Sequence, residues 1–230
     1  MNKDLEFSNV RVSFGRNEVL RGLSGRAQSG RIFGLLGLNG AGKSTFFHAV
    51  MRLVPYDGSI TLGGQPVDRA LVGASINGPA LYPQLSARGN LSVHALLTGT
   101  DPSRIDQVLD QVGLDAGRKR AGAFSTGMKM RLALAIALLT DPPLLLLDEP
   151  QNGLDPAGIR DLRLLIRHVA EQGTTVIISS HQLGEVEHMV DDIGIIAGGT
   201  MPYCGTLEGV ARADESLEEA FFRITRGQHS

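Results

Sequence analysis

The stretch "GLNGAGKST", residues 37–45, directly follows the apolar run "RIFGLL" and constrains this chain more than any other segment. Gly37, Gly40 and Gly42, followed by Lys43 and Ser44, fit the pattern G-x-x-x-x-G-K-[ST]. Glycines at these places let successive backbone N–H groups turn inward around an anion. The lysine adds a point charge and the hydroxyl suits a magnesium ion. Only four of the 22 basic residues are lysines, so one inside a glycine loop stands out. Such a loop needs a buried strand before it and a helix after it. "RIFGLLG" is a short apolar run closed by glycine, and "KSTFFHAVMRL" reads as a helix ending before Pro55. The run Gly37, Leu38, Asn39, Gly40, Ala41, Gly42, Lys43, Ser44 and Thr45 is therefore a candidate phosphate site.

The rest of the chain can be read around that loop. "LEFSNVRVSFG" and "VLRGLSG" read as strands of a small N-terminal antiparallel sheet, and "YDGSITLGGQPV" as a further β-rich stretch with turns. From about Ile76 to Thr140 the texture becomes mostly helical. "NGPALYPQLSARGNL" is loop-like, whereas "DPSRIDQVLDQVGL" and "GMKMRLALAIALLT" have helix spacing. Then "LLLLDEP", "DPAGIRDLRLLIRHVAEQG", "TTVIISSH", "QLGEVEHMVDD" and "IGIIAGG" alternate strand and helix. Continuous apolar strands in that alternation predict an α/β fold with a parallel sheet covered on both faces. Leu162, Leu165, Ile166 and Val169 form a core stripe on the helix after Asp155. With 230 residues and no linker or repeat, the expectation is a single domain over 1–230, with a helical subdomain at about 76–140.

Composition excludes several classes. A net charge of −2 implies no nucleic-acid partner. One cysteine, Cys204, excludes an intramolecular disulfide framework; it is expected to be buried and inert. The N-terminus lacks a basic-then-apolar signal pattern, and no stretch approaches the roughly 18 apolar residues needed to span a bilayer. A chain soluble on its own is expected.

Three further constellations carry chemistry. Asp148 and Glu149 end the apolar strand "LLLLDEP", at the sheet edge where ligands of open α/β sheets bind. Asp148, with Ser44, suits Mg2+, and Glu149 suits polarisation of an attacking water. His181 ends "TTVIISS" and should emerge at the same edge, able to bond a γ-phosphate and orient water. His48, His94, His168, His188 and His229 carry no such positional signal. Ser125 can cap a helix whose first turn contains Thr126 and Gly127, which makes a second anion site from free N–H groups and the positive helix end. One nucleotide already has its phosphate loop, so a second anion site suggests a ligand shared between two chains.

The ordered set "GLNGAGKST", "STGMK", "LLLLDEP", "NGLDP" and "SSH" resembles the nucleotide-binding subunit of ATP-binding cassette (ABC) transporters, from about Leu5 to Ile224. The resemblance implies a P-loop NTPase core with the helical insertion between phosphate loop and Walker B strand. It also implies a head-to-tail dimer with two ATP molecules, each between one chain's phosphate loop and the other's Ser125–Gly127 segment. Asp155, in "GLDP", would lie at that interface. Phe14, 29 residues before Lys43, matches the adenine-stacking aromatic of the family, though it also fits a strand residue in a small core. Asn77, in "SINGPALYPQL", stands at the usual glutamine position and is one methylene shorter. Gln151 stands where threonine is frequent, a change expected to matter little. "INGPALYPQLSARGNL" and "LEEAFFRITRG" are similar to the branch that exports lantibiotics, bacitracin-like peptides and other drugs. The resemblance implies Glu149, His181 and Lys43 as catalytic residues. It implies a homodimer of the cassette on an integral membrane permease, at the cytoplasmic face of the membrane. A soluble, non-transport ABC-type ATPase is the alternative. A small-molecule kinase or nucleotide switch would share the phosphate loop but not "STGMK" before "LLLLDEP".

Overall fold

Alternating burial along Leu5–Phe14 makes this segment a strand, β1, with Leu5, Phe7, Val10 and Val12 turned inward. It pairs antiparallel with β2 (Asn17–Ala27) and β4 (Asp57–Leu62), and β4 pairs with the short β5 (Gln65–Pro66), giving a four-stranded sheet in the order β2-β1-β4-β5. This is a computed structural model, which describes residues 3–78, 80–212 and 215–226. Pro79, His229 and Gly227 of the C-terminal tail motif lie outside them.

A second sheet has six strands, with β3 (Ile32–Leu36), β6 (Val72–Ser75), β7 (Leu144–Asp148), β8 (Thr175–Ser180) and β9 (Asp192–Ala197) running parallel. β10 (Thr200–Thr206) returns antiparallel on β9, and the order is β10-β9-β3-β8-β7-β6. The period of two sends successive side chains to opposite faces. Leu144 and Leu146 join Phe33, Leu35 and Ile177 in a core beneath β1, β2 and α1 (Lys43–Val50). Leu145 and Leu147 join Ile32, Leu36, Val176 and Ile178 in a core on the other face. Both cores need the strand, so four consecutive leucines are used. Each fully buried leucine contributes about 1.5–3 kcal/mol relative to exposure.

Between β6 and β7 lie α2 (Ala87–Thr98), α3 (Arg104–Gln111) and α4 (Thr126–Leu138), in the expected helical region. After β7 come α5 (Pro156–Glu171), the five-residue α6 (Leu183–Glu187) and, at the end, α7 (Leu217–Arg226). On α5, Leu162, Ile166 and Val169 are buried as the spacing predicts, and Leu165 is half-buried against the same core.

Several elements depart from the sequence reading. α1 ends at Val50, because Arg52 adopts φ 52 and breaks the helix short of Leu53. α2 begins inside a stretch that reads as loop. Cys204 lies on the exposed strand β10 and is not buried, although its Sγ packs over Gly25 and the surrounding protein raises the thiol pKa. The thiolate is correspondingly disfavoured.

α2 forms despite glycine and asparagine in its first turn because Asn90 has long-range partners. Its side chain is fully buried; Oδ1 accepts from the Tyr82 N–H at 2.7 Å, while Nδ2 donates to the Tyr82 and Ser86 carbonyls at 3.1 and 2.9 Å. Ser86 caps the helix by accepting from the Gly89 N–H at 3.1 Å. Asn90→Ala removes these bonds to the partly buried backbone of residues 82 and 86. It should therefore lower the free energy of unfolding by about 2–3 kcal/mol in urea titration. A loss under about 0.5 kcal/mol would show that the 82–86 turn does not depend on Asn90.

Candidate functional site

The C-terminal ends of β3, β8 and β7 are neighbours, with Leu36 opposite Ser180 and Ser179 opposite Asp148. Their loops therefore converge on one edge of the sheet. There a cleft of about 560 Å³ is lined by Asn39, Gly40, Gly42, Lys43, Ser44 and Thr45 from the glycine loop, with Asn77, Asp148 and Glu149 facing them. Gly40 and Gly42 adopt φ 80 and 110, and a Cβ on Gly42 would stand 2.6 Å from Leu20 Cδ2. Glycine at position 42 is thus a requirement of both backbone and packing. Leu38 and Ala41 line a second hollow of about 330 Å³ on the other flank of the loop, while Gly37 is buried against Ile196.

Lys43 is buried, and its ammonium donates to the Gly37 and Leu38 carbonyls at 2.7 and 3.3 Å, so the loop is wrapped around its own cation. Glu149 Oε1 lies 3.8 Å away. Burial holds the Lys43 pKa below its ordinary value, against the opposing pull of the Glu149 and Asp148 charges. A polyanion entering the cleft would add to that pull, favouring the charged lysine.

Ser44 donates to Asp148 Oδ2 at 3.0 Å, bringing a hydroxyl and a carboxylate together at the mouth of α1. Ser179 donates to the other oxygen of Asp148 and accepts from the Glu149 N–H at 3.0 Å. Glu149 itself sits at φ 49, a left-handed conformation that costs a non-glycine residue about 1–3 kcal/mol. Its N–H, bonded also to the Ser179 carbonyl at 3.2 Å, helps hold it there. The strained turn directs the carboxylate into the cleft.

The Glu149 carboxylate is bracketed. His181 Nδ1 lies 2.9 Å from Oε1, and Asn152 Nδ2 donates to Oε2 at 2.6 Å. Burial pushes its pKa up, but the hydrogen bonds from Asn152 and His181 and the charges of His181 and Lys43 outweigh that and hold it below the usual carboxylate range. Glu149 is therefore an anion at neutral pH, able to accept a hydrogen bond from water. Asn152 and Ser179 were not singled out from the sequence. Ser179 had a signal, a fully buried polar residue in an apolar strand, whereas Asn152 looks like any turn residue.

Ser125, Thr126 and Gly127 do not line the cleft. Ser125 caps α4, accepting from the Met128 N–H at 3.3 Å, with Ser125 and Thr126 exposed. This segment packs on the loop before α5: Thr126 Cγ2 is 3.4 Å from an ideal Cβ on Gly153, and Leu154 is the neighbour of Gly127. Asp155 caps α5 through the Gly158 N–H at 2.8 Å. The second anion motif and "GLDP" thus form one patch, distinct from the cleft. Phe14 is 52% exposed at the end of β1 and lies outside the strand core, though it does not line the cleft.

A family model described as ABC transporter matches residues 20–152. The lantibiotic transport ATP-binding protein SrtF of Streptococcus pyogenes is 41% identical over 222 residues, which is 94% of this chain and 95% of that protein. The chain belongs to the ABC transporter ATP-binding proteins. As an ABC transporter ATPase it has other relatives of the same kind. The bacitracin transport ATP-binding protein BcrA of Bacillus licheniformis is 39% identical, over 87% of this chain and 69% of that protein. A solved ATP-binding subunit of an ABC transporter superposes with a TM-score of 0.86 at 27% identity, covering 96% of this chain and 99% of that one. A dimeric bacterial ABC transporter cassette shares the fold at a TM-score of 0.78 and 20% identity, over 88% of this chain and 98% of that one. Among the described residues no helix is long and apolar enough to cross a membrane.

In this ABC ATPase the charge of Lys43 is set among the Gly37 and Leu38 carbonyls. Lys43→Ala should lower ATP turnover by at least about 10²-fold, the scale on which a preorganised charge or donor contributes. Circular dichroism should report an intact fold. Turnover within about twofold of the parent would remove Lys43 from the phosphate site.

Proposed function

We propose that this ABC ATPase powers export of a peptide- or drug-like molecule through a separate membrane permease, hydrolysing ATP between two copies of the cassette. The carrying observation is the division of the site within one chain. Lys43, Ser44, Asp148 and Glu149 share a cleft, whereas Ser125, Thr126 and Gly127 form an exposed patch elsewhere. A helix N-terminus with free N–H groups suits phosphate oxygens, and a second copy turned head to tail would bring its patch over the first copy's cleft. Asp155, beside the patch at the start of α5, would lie at that junction.

Within the cleft, backbone N–H groups of the glycine loop and the Lys43 charge would hold the β- and γ-phosphates. Ser44 and Asp148 present paired hard oxygens 3.0 Å apart, a donor set that fits Mg2+ rather than a thiophilic metal. When bound, Mg2+ would supply positive charge to the phosphate oxygens. Glu149, held as an anion by Asn152 and His181, would accept a hydrogen bond from the attacking water. His181 would keep that carboxylate oriented while itself facing the γ-phosphate. Asn77, exposed at φ 60 on the rim of the cleft, would face both nucleotide and permease. The exported class follows the relatives, which are named for lantibiotic transport, bacitracin transport and linearmycin resistance.

Glu149→Gln keeps the size of the side chain but removes its negative charge and basicity. Turnover should fall by about 10²–10⁴-fold, while ATP still binds. With less negative charge beside the phosphates and slower hydrolysis, the variant should accumulate as an ATP-bound dimer. Size-exclusion chromatography with light scattering, with and without ATP and Mg2+, measures this. A variant that stays monomeric at saturating ATP, or that turns over normally, contradicts the shared-site reading.

A further inference from the structure

Gln151 follows the Glu149–Pro150 pair and is 3% exposed. Its Nε2 donates to Ser180 Oγ at 2.6 Å, and the same hydroxyl accepts from the Gln182 N–H at 3.0 Å. Ser180 and Gln182 flank His181. The Leu154 N–H bonds the Gln151 carbonyl at 3.2 Å and the Asn152 N–H bonds the Glu149 carbonyl at 3.1 Å, so residues 149–154 are one tight turn. One amide therefore bridges the turn that carries Glu149 and the strand end that carries His181. Its Oε1 is buried and finds no hydrogen-bond partner among the described residues. Packing alone would favour an apolar side chain there, since a half-satisfied buried amide is unfavourable.

We propose that Gln151 is a positioning residue of the hydrolytic site: by pegging the Glu149 turn to Ser180 it fixes the approach of His181 to Glu149. The inference rests on the hydrolytic roles proposed for Glu149 and His181. The His181–Glu149 contact at 2.9 Å joins an exposed histidine to a carboxylate already held by Asn152, on a turn held by Ser179, so the histidine end is the one in need of support. The buried Gln151–Ser180 bond lies behind this contact and supplies the rigidity. Loosening it should let the His181 ring drift from the Glu149 carboxylate.

Gln151→Leu keeps the volume and removes the bond; Ser180→Ala removes it from the other side. Each should lower kcat about tenfold while KM and ATP affinity stay unchanged. The double variant should be no slower than Ser180→Ala, which already removes the Gln151 bond along with the Gln182 contact. His181→Ala and Glu149→Gln serve as controls. If the controls are impaired while Gln151→Leu and Ser180→Ala keep the parent's kcat, the positioning role is overturned and the hydrolytic reading stands. A loss carried by a raised KM or weaker ATP binding, or additive losses, also overturns it. If the controls turn over at the parent's rate, the hydrolytic reading fails, and the inference with it.

Discussion

The parallel register of β3, β8 and β7 is the constraint on which the site depends. Adjacent strands lie about 4.8 Å apart, so the residues leaving three neighbouring strands emerge within about 10 Å of one another. One end opens into the glycine loop, the middle one presents His181, and the third presents Asp148 and Glu149. That register is fixed by burial on both faces, since shifting β7 by one residue would exchange its leucines between two differently shaped cores. The charged groups are thus brought together by apolar residues well away from them. Hydrogen bonds donated by Ser179 and Ser44 to Asp148 then set the final orientation.

What could be read from the sequence follows from this. Motifs that sit at strand ends were legible because strand, turn and chemistry are contiguous there, as in "RIFGLLG" before the glycine loop and "LLLLDEP" before the turn. Elements that exist only through distant contacts were not. β6 is a four-residue edge strand interrupted by Gly73, where a Cβ would stand 2.1 Å from the Ala137 carbonyl oxygen. The glycine that makes the sequence look like loop is what lets α4 pack there. α2 was hidden in the same way, because Asn90 lowers local helix propensity while bonding residues 82–86. Asn152 and Gln151 look like ordinary turn residues until β8 is placed beside them. Gln151 was expected to matter little, and its buried bond to Ser180 is invisible from neighbours in sequence.

In the composite site proposed above, a single chain would present both halves. The cleft contains a buried lysine, whereas the Ser125–Gly127 segment is capped and packed on the loop that leads to Asp155. Met130 of α4 reaches the wall of the cleft, whereas Ser125 at the start of that helix belongs to the patch.

The central claim is that each active site combines the glycine loop of one copy with the Ser125 patch of another. Mixing two inactive variants tests it directly. Lys43→Ala spoils the loop and keeps the patch; Ser125→Arg fills the patch and keeps the loop. In a symmetric head-to-tail dimer, a mixed pair regains one complete site and leaves the other doubly damaged. Steady-state ATPase of an equimolar mixture should then recover to about a quarter of the parent's rate, since half of the randomly paired dimers are mixed and each has one of its two sites. A mixture no more active than the sum of the two variants measured separately would contradict the composite site.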